Sequence, residues 1–93
     1  MTSKERAYLK SLAANVPALY QIGKEGISEN VVKSTDAALA ARELIKVHVL
    51  ENSLMDIREA AQELAEKTAA QVVIVIGSKF VLYRRSEKNI CEM

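Results

Sequence analysis

The chain has one cysteine, Cys91, one proline, Pro17, and no tryptophan. A lone cysteine excludes an internal disulfide framework and a cysteine-rich metal cluster, and makes a reducing, cytoplasmic setting the default expectation. Charge of one sign is also lacking: 13 Lys and Arg against 12 Asp and Glu leave a net charge of +1. Bulk attraction to a polyanion is thereby excluded, and any affinity for nucleic acid must come from how the charges are distributed. Long apolar runs are missing too. The most hydrophobic, Val72 to Ile76, is far short of the ~20 residues a bilayer span needs. No positively flanked apolar segment opens the chain, so neither export nor membrane insertion is expected. Nucleotide fingerprints, clusters with metal-ligand spacing and a nucleophile beside a base are absent, so neither a cofactor nor catalysis is expected.

What is present is 49% hydrophobic content in 93 residues, enough for one core and no more. Residues 1–86 form the expected domain and 87–93 a C-terminal tail, with no linker or repeat between. Thr2 and Glu5 have the form of a capping box, and Leu9, Leu12, Ala13 and Val16 recur at helical spacing, which predicts a first helix from about Ser3 to Ala14. Asn15 and Pro17 stop it. "ALYQI", Ala18 to Ile22, reads as a short strand running into Gly23. Ser28 can cap a second helix reaching about Arg42, with Val31, Val32, Thr35, Ala38 and Leu39 as its apolar stripe.

"RELIKVHV" follows, in which Ile45, Val47 and Val49 point one way while Lys46 and His48 point the other, as in a strand with one wet face. Asn52 or Ser53 opens a third helix ending near Ala69, with Leu54, Ile57, Ala61, Leu64 and Ala65 inside and Arg58, Glu59, Glu63, Glu66 and Lys67 outside. "QVVIVIG" is continuously apolar and suits a central strand or one buried on both faces. "SKFVLYRR" follows Gly77 and Ser78 so closely that the two strands form a hairpin. The order α-β-α-β-α-β-β predicts a single two-layer α/β domain, with three helices gathered on one side of a mixed four-stranded sheet.

"YQIGKEGISENVV" carries the candidate site. Gly23 and Gly26 flank Lys24 and Glu25; glycines allow close approach of a phosphate and the positive φ angles that aim successive N–H groups at one point. The helix beginning after Ser28 adds unsatisfied N–H groups and the positive end of its dipole. A G-x-x-G alone is a common accident; strand, G-x-x-G, capping serine and helix in sequence are not. Further basic residues that could form a positive track are Lys4, Arg6 and Lys10 in the first helix, Lys33 in the second, and Arg84 and Arg85 after the last strand. His48 reads as a surface histidine and Cys91 as an incidental tail residue. Glu63 and Glu66, beside Lys67, read as helix solvation.

Taken together, "YQIGKEGISENVV", "RELIKVHV" and "VIGSKFVLYRR" resemble the CRM domain family, the RNA-binding domains named for chloroplast RNA splicing and ribosome maturation. The likeness is to its bacterial stand-alone YhbY-type members and spans essentially the whole chain. It implies a fold similar to the C-terminal domain of translation initiation factor three. It also implies binding of structured RNA without catalysis, with RNA of large-subunit ribosomal precursors as partner. By that resemblance Gly23, Lys24, Glu25 and Gly26 occupy an RNA-binding loop compared with that of KH domains, and Arg84 matches the family's terminal "LYR". Glu25 is a departure, and the tail "SEKNICEM" adds only Lys88 as a cation. A KH-type domain and a protein–protein adaptor remain the alternatives. A KH loop would join two helices rather than follow a strand. No membrane partner is expected, and a monomer is favoured.

Overall fold

The computed structural model describes residues 1–87 and 89–91; Lys88, the tail cation, lies outside them. The elements follow the expected order: α1 Ser3–Ala13, β1 Tyr20–Ile22, α2 Glu29–Arg42, β2 Leu44–Val49, α3 Ile57–Thr68, β3 Gln71–Ile76 and β4 Lys79–Tyr83. The capping box forms as read, with the Glu5 amide donating to Thr2 Oγ1 at 3.1 Å and the Thr2 amide to Glu5 Oε1 at 2.8 Å. Ser28 caps α2 through the Val31 amide at 3.2 Å.

Sheet order is β1-β2-β4-β3. β1 lies parallel to β2, and β4 is antiparallel to both β2 and β3. β4 is therefore the inserted central strand, and β3 is an edge. This corrects the reading of "QVVIVIG" as central or doubly buried. A register shift between Val72 and Ile74 breaks the alternation of β3. Val72 and Val75 pack toward one core while Val73 and Ile74 pack toward the other, so an edge strand acquires the unbroken apolar sequence of an interior one.

Alternation along β4 sends Phe80 and Leu82 into the core beneath α2 and α3, where Ile22, Leu39, Ile45, Val47 and Leu64 meet them. Val81 and Tyr83 point the opposite way, into a second cluster with Leu9 and Ala13 of α1, Leu44, Val73 and Cys91. The sheet with α2 and α3 makes the two expected layers; α1 does not gather with them but lies on the other face. Leu9 and Ala13, one helical turn apart, are its buried residues, matched to the second apolar face of β4. Cys91 is not an incidental tail residue: it is buried in this second cluster.

α3 starts later than expected. Asp56, rather than Asn52 or Ser53, caps it, accepting from the Arg58 amide at 3.1 Å. Leu54 consequently lies in the preceding loop at 89% exposure instead of in the core. At the β3–β4 turn, Gly77 adopts φ +58°, which allows the two-residue connection. Among the described residues no helix is long and apolar enough to cross a membrane.

These placements separate two leucines that look alike in sequence. Leu64→Ala is expected to lower unfolding free energy by about 2–5 kcal/mol, and Leu54→Ser to change it by less than about 0.5 kcal/mol, in urea titrations followed by circular dichroism. A loss above about 2 kcal/mol for Leu54→Ser would contradict its exposed position.

Candidate nucleic-acid interface

The strand β1 ends at Ile22 and the chain turns at once, the Gly26 amide donating to the Gly23 carbonyl at 3.0 Å. Gly23, Lys24, Glu25 and Gly26 thus form a single β-turn with Lys24 and Glu25 exposed at its tip. Only Gly26 has a positive φ, +70°; Gly23 does not, so the pair does not supply two left-handed positions. A Cβ on Gly23 would stand 3.5 Å from Leu50 Cδ1, and one on Gly26 3.5 Å from Met55 Sδ. The turn therefore leans on the segment leading into α3.

Closing the turn engages the Gly26 amide, and the Ser28 hydroxyl is held by Val31. The amides of Lys24 and Glu25 at the tip, and of Glu29 and Asn30 in the first turn of α2, have no protein acceptor among the described residues. Those amides, the Lys24 ammonium and the positive end of the α2 dipole lie close together along the chain at one exposed corner, a setting suited to an anion. Glu25 and Glu29 bring two carboxylates to the same corner. Selectivity for negative charge there must come from which of these side chains turns toward the ligand.

The basic residues singled out in sequence do not all converge on this corner. The loop lies at the end of the sheet where His48 pairs with Lys79, Val49 bonds Ser78 and the Gly77 turn closes. Arg84 and Arg85 follow Tyr83, which pairs with Leu44 at the opposite end, roughly 13 Å away along the strand at about 3.3 Å per residue. Arg84 is also committed to the protein. Its Nη1 donates to Asp36 Oδ1 at 2.6 Å and the Thr68 carbonyl at 2.8 Å, and its Nη2 to the Asp36 carbonyl at 2.9 Å. The guanidinium so joins the end of β4 to the middle of α2 and the last turn of α3. Arg85 stays exposed beside Glu5 and Gln71. Arg6 donates to the Val72 carbonyl at 3.0 Å and also to that of Val73, covering carbonyls of the edge strand. Lys4 is exposed on the first turn of α1 and Lys33 on the second turn of α2. Lys10, near the end of α1, borders a hollow with Lys46.

The residue that sequence reasoning passed over is Glu43, the acid inside "RELIKVHV". It ends α2 at φ +66°, a backbone region where glycine is usual, and its side chain is completely buried. Burial pushes its carboxyl pKa up. The Ser86 hydroxyl and the amides of Cys91, Ile90 and Ser86 outweigh that effect and hold it at about 2. The Ser86 amide donates to Oε2 at 2.9 Å and the Cys91 amide to Oε1 at 3.0 Å. Its own carbonyl takes the Arg84 amide at 2.9 Å. The chain after β4 is thereby wrapped round one buried anion, and Tyr8 of α1 donates to the Cys91 carbonyl at 2.8 Å. A glutamate at a helix–strand junction was the only signal in the sequence.

Comparison with known proteins gives a consistent result. The sequence profile of the CRS1/YhbY (CRM) domain matches residues 1–84. Probable RNA-binding protein YqeI of Bacillus subtilis is 39% identical over 89 residues, covering 96% of this chain and 93% of that protein. An RNA-binding protein of Haemophilus influenzae is 32% identical over 88 residues, covering 95% and 89%. The solution structure of SAV1595 from Staphylococcus aureus superposes with a TM-score of 0.81 at 50% identity, covering 96% and 93%.

Because the folded pKa of Glu43 lies below its ordinary value of 4.5, its contribution to stability is complete above that value and is lost as pH falls toward about 2. Glu43→Ala should remove this acid-range dependence in urea titrations and destabilise the fold at neutral pH by about 3 kcal/mol. It should also open the buried Cys91 thiol to alkylation. Unchanged thiol protection in that variant would contradict the role given to the carboxylate.

Proposed function

The chain belongs to the CRS1/YhbY (CRM) domain family, and on that premise we propose that it binds RNA, through the Gly23–Gly26 turn and the start of α2, without catalysing a reaction. The supporting observation is the exposed Lys24 at the tip of a turn just ahead of α2, whose first-turn amides have no protein acceptor among the described residues. In this reading the amides receive one phosphate oxygen, and Lys24 and Lys33 hold neighbouring phosphates. Such contacts set position and do not read sequence. Single-stranded or bulged segments are the favoured targets, because side chains cannot enter the deep, narrow major groove of A-form RNA. Ribosomal RNA in precursors of the large subunit is the proposed natural ligand, and the chain acts as a monomer. Arg6, bonded to carbonyls of the β3 edge, disfavours pairing of that edge with a second copy. A strand, not a helix, precedes the turn, which sets the KH alternative aside.

Each phosphate neutralised on a single strand contributes about 0.7 to the slope of log K against log salt. Lys24→Ala is expected to weaken binding of a single-stranded ribosomal RNA fragment and to flatten that slope by about 0.7, measured by fluorescence anisotropy at several salt concentrations. Arg84→Ala is expected to leave the slope unchanged and to lower stability by about 1–3 kcal/mol, as hydrogen bonds to α2 and α3 are lost. An unaltered slope for Lys24→Ala would remove the turn from the mechanism.

A further inference from the structure

α1 covers only part of its face of the sheet. The strand registers place Leu44 beside Tyr83 in one row and Lys46 beside Val81 and Ile74 in the next. A last row runs across all the strands as Gln21, His48, Lys79 and Ile76. Leu9 and Ala13 cover Leu44 and Val81, and α1 ends there. Beyond it Gln21, Lys79 and Ile76 are exposed and His48 and Lys46 half-buried, with Ile76 at 61% exposure. At the boundary Lys10 of α1 and Lys46 rim a hollow floored by Ile74, Ile76 and Val81.

The chemistry of this area is particular. Its outer row spans three strand spacings, about 14 Å, and neither that row nor the Lys46 row beside it contains a carboxylate. Lys10, Lys46 and Lys79 supply cations round an apolar floor, and His48 supplies a flat ring between Gln21 and Lys79. Direct cross-strand neighbours stand about 5 Å apart at Cβ, so one nucleotide can touch three of these residues together. A near-neutral chain thus carries an uncompensated cationic patch on one sheet face, while the outer side of α3 holds Glu59, Glu63 and Glu66. The row also ends at Gln21, two residues before the Gly23 turn.

We propose that the sheet face left open by α1 is a second seat for single-stranded RNA, with a base stacked on His48, the Gln21 amide at a base edge, and Lys46, Lys79 and Lys10 on the phosphates. Planar side chains and cations combined in this way hold unpaired nucleotides with little sequence preference. The inference relies on the RNA-binding reading for the class of ligand and not on the part given there to the turn. An RNA strand leaving the Lys24 corner along β1 would enter this seat directly.

The test uses the full chain, a labelled uridine oligomer of about ten nucleotides and fluorescence anisotropy, with circular dichroism melts to verify folding of each variant. His48→Ala is expected to weaken binding roughly tenfold, and His48→Phe, which keeps a stacking ring, to retain it within about twofold. The double variant Lys46→Ala, Lys79→Ala is expected to flatten the salt slope by about 1.4. If these variants bind as the native chain does while Lys24→Ala is weakened, the sheet seat is wrong and the turn stands. If they are weakened while Lys24→Ala is not, the seat stands and the turn falls. Equal competition by a polyglutamate peptide of the same length would overturn the assignment to RNA and make the surface a seat for acidic polypeptide.

Discussion

The structure depends on β4 being apolar on both faces. A strand inserted between β2 and β3 has no wet side to spare. Phe80 and Leu82 must find partners under α2 and α3, and Val81 and Tyr83 must find others. α1 exists on the far face to cover that second pair. At 11 residues it is roughly 16 Å long, too short to cover the whole face, so its end divides the sheet into a packed half and an open half. The position of the cationic surface follows from that division.

Glu43 secures the packed half. A carboxylate buried in a protein interior is ordinarily destabilising, yet here donors from Ser86, Ile90 and Cys91 surround it and keep it ionised. Two consequences meet at this one group: the left-handed end of α2 sets the entry of β2, and the segment after β4 is drawn back across the sheet to meet α1 through Tyr8 and Cys91. Arg84 adds a second tie, from the same segment to α2 and α3. Arg84 at this end of the sheet is bonded into the fold while Arg85 beside it is exposed, and both stand apart from Lys24 at the other end.

Much of this was legible along the chain. Periodicity and caps disclosed every element, because the Thr2–Glu5 box, Ser28 and the alternation in "LIKVHV" are local signals. Strand order was not legible. The apolar run 72–76 looks interior, and only the bulge between Val72 and Ile74, which depends on pairing with β4, turns its residues toward both cores. The sequence reading opens α3 at Asn52 or Ser53, whereas Asp56 caps it, and that difference decides whether Leu54 is inside or out. At the candidate site the turn was visible from its glycines. The separation of Lys24 from Arg84 and Arg85 was not, since it is a property of register. Lys46 and His48 were placed on a wet face by alternation alone; what adjoins them comes from strands distant in sequence.

The sheet has one end proposed to bind, where the Gly23 turn, the Gly77 turn and the open outer row meet, and one end held shut by Glu43 and Arg84. Mapping of amide resonances in the isotope-labelled chain during titration with single-stranded RNA tests this division most directly. Shifts are expected at Lys24 to Ser28 and at Gln21, Lys46, His48 and Lys79, with Glu59, Glu63 and Glu66 of α3 unmoved. Shifts gathered on the outer faces of α2 and α3, or around Arg84 and Arg85 with the turn and open sheet silent, would contradict it.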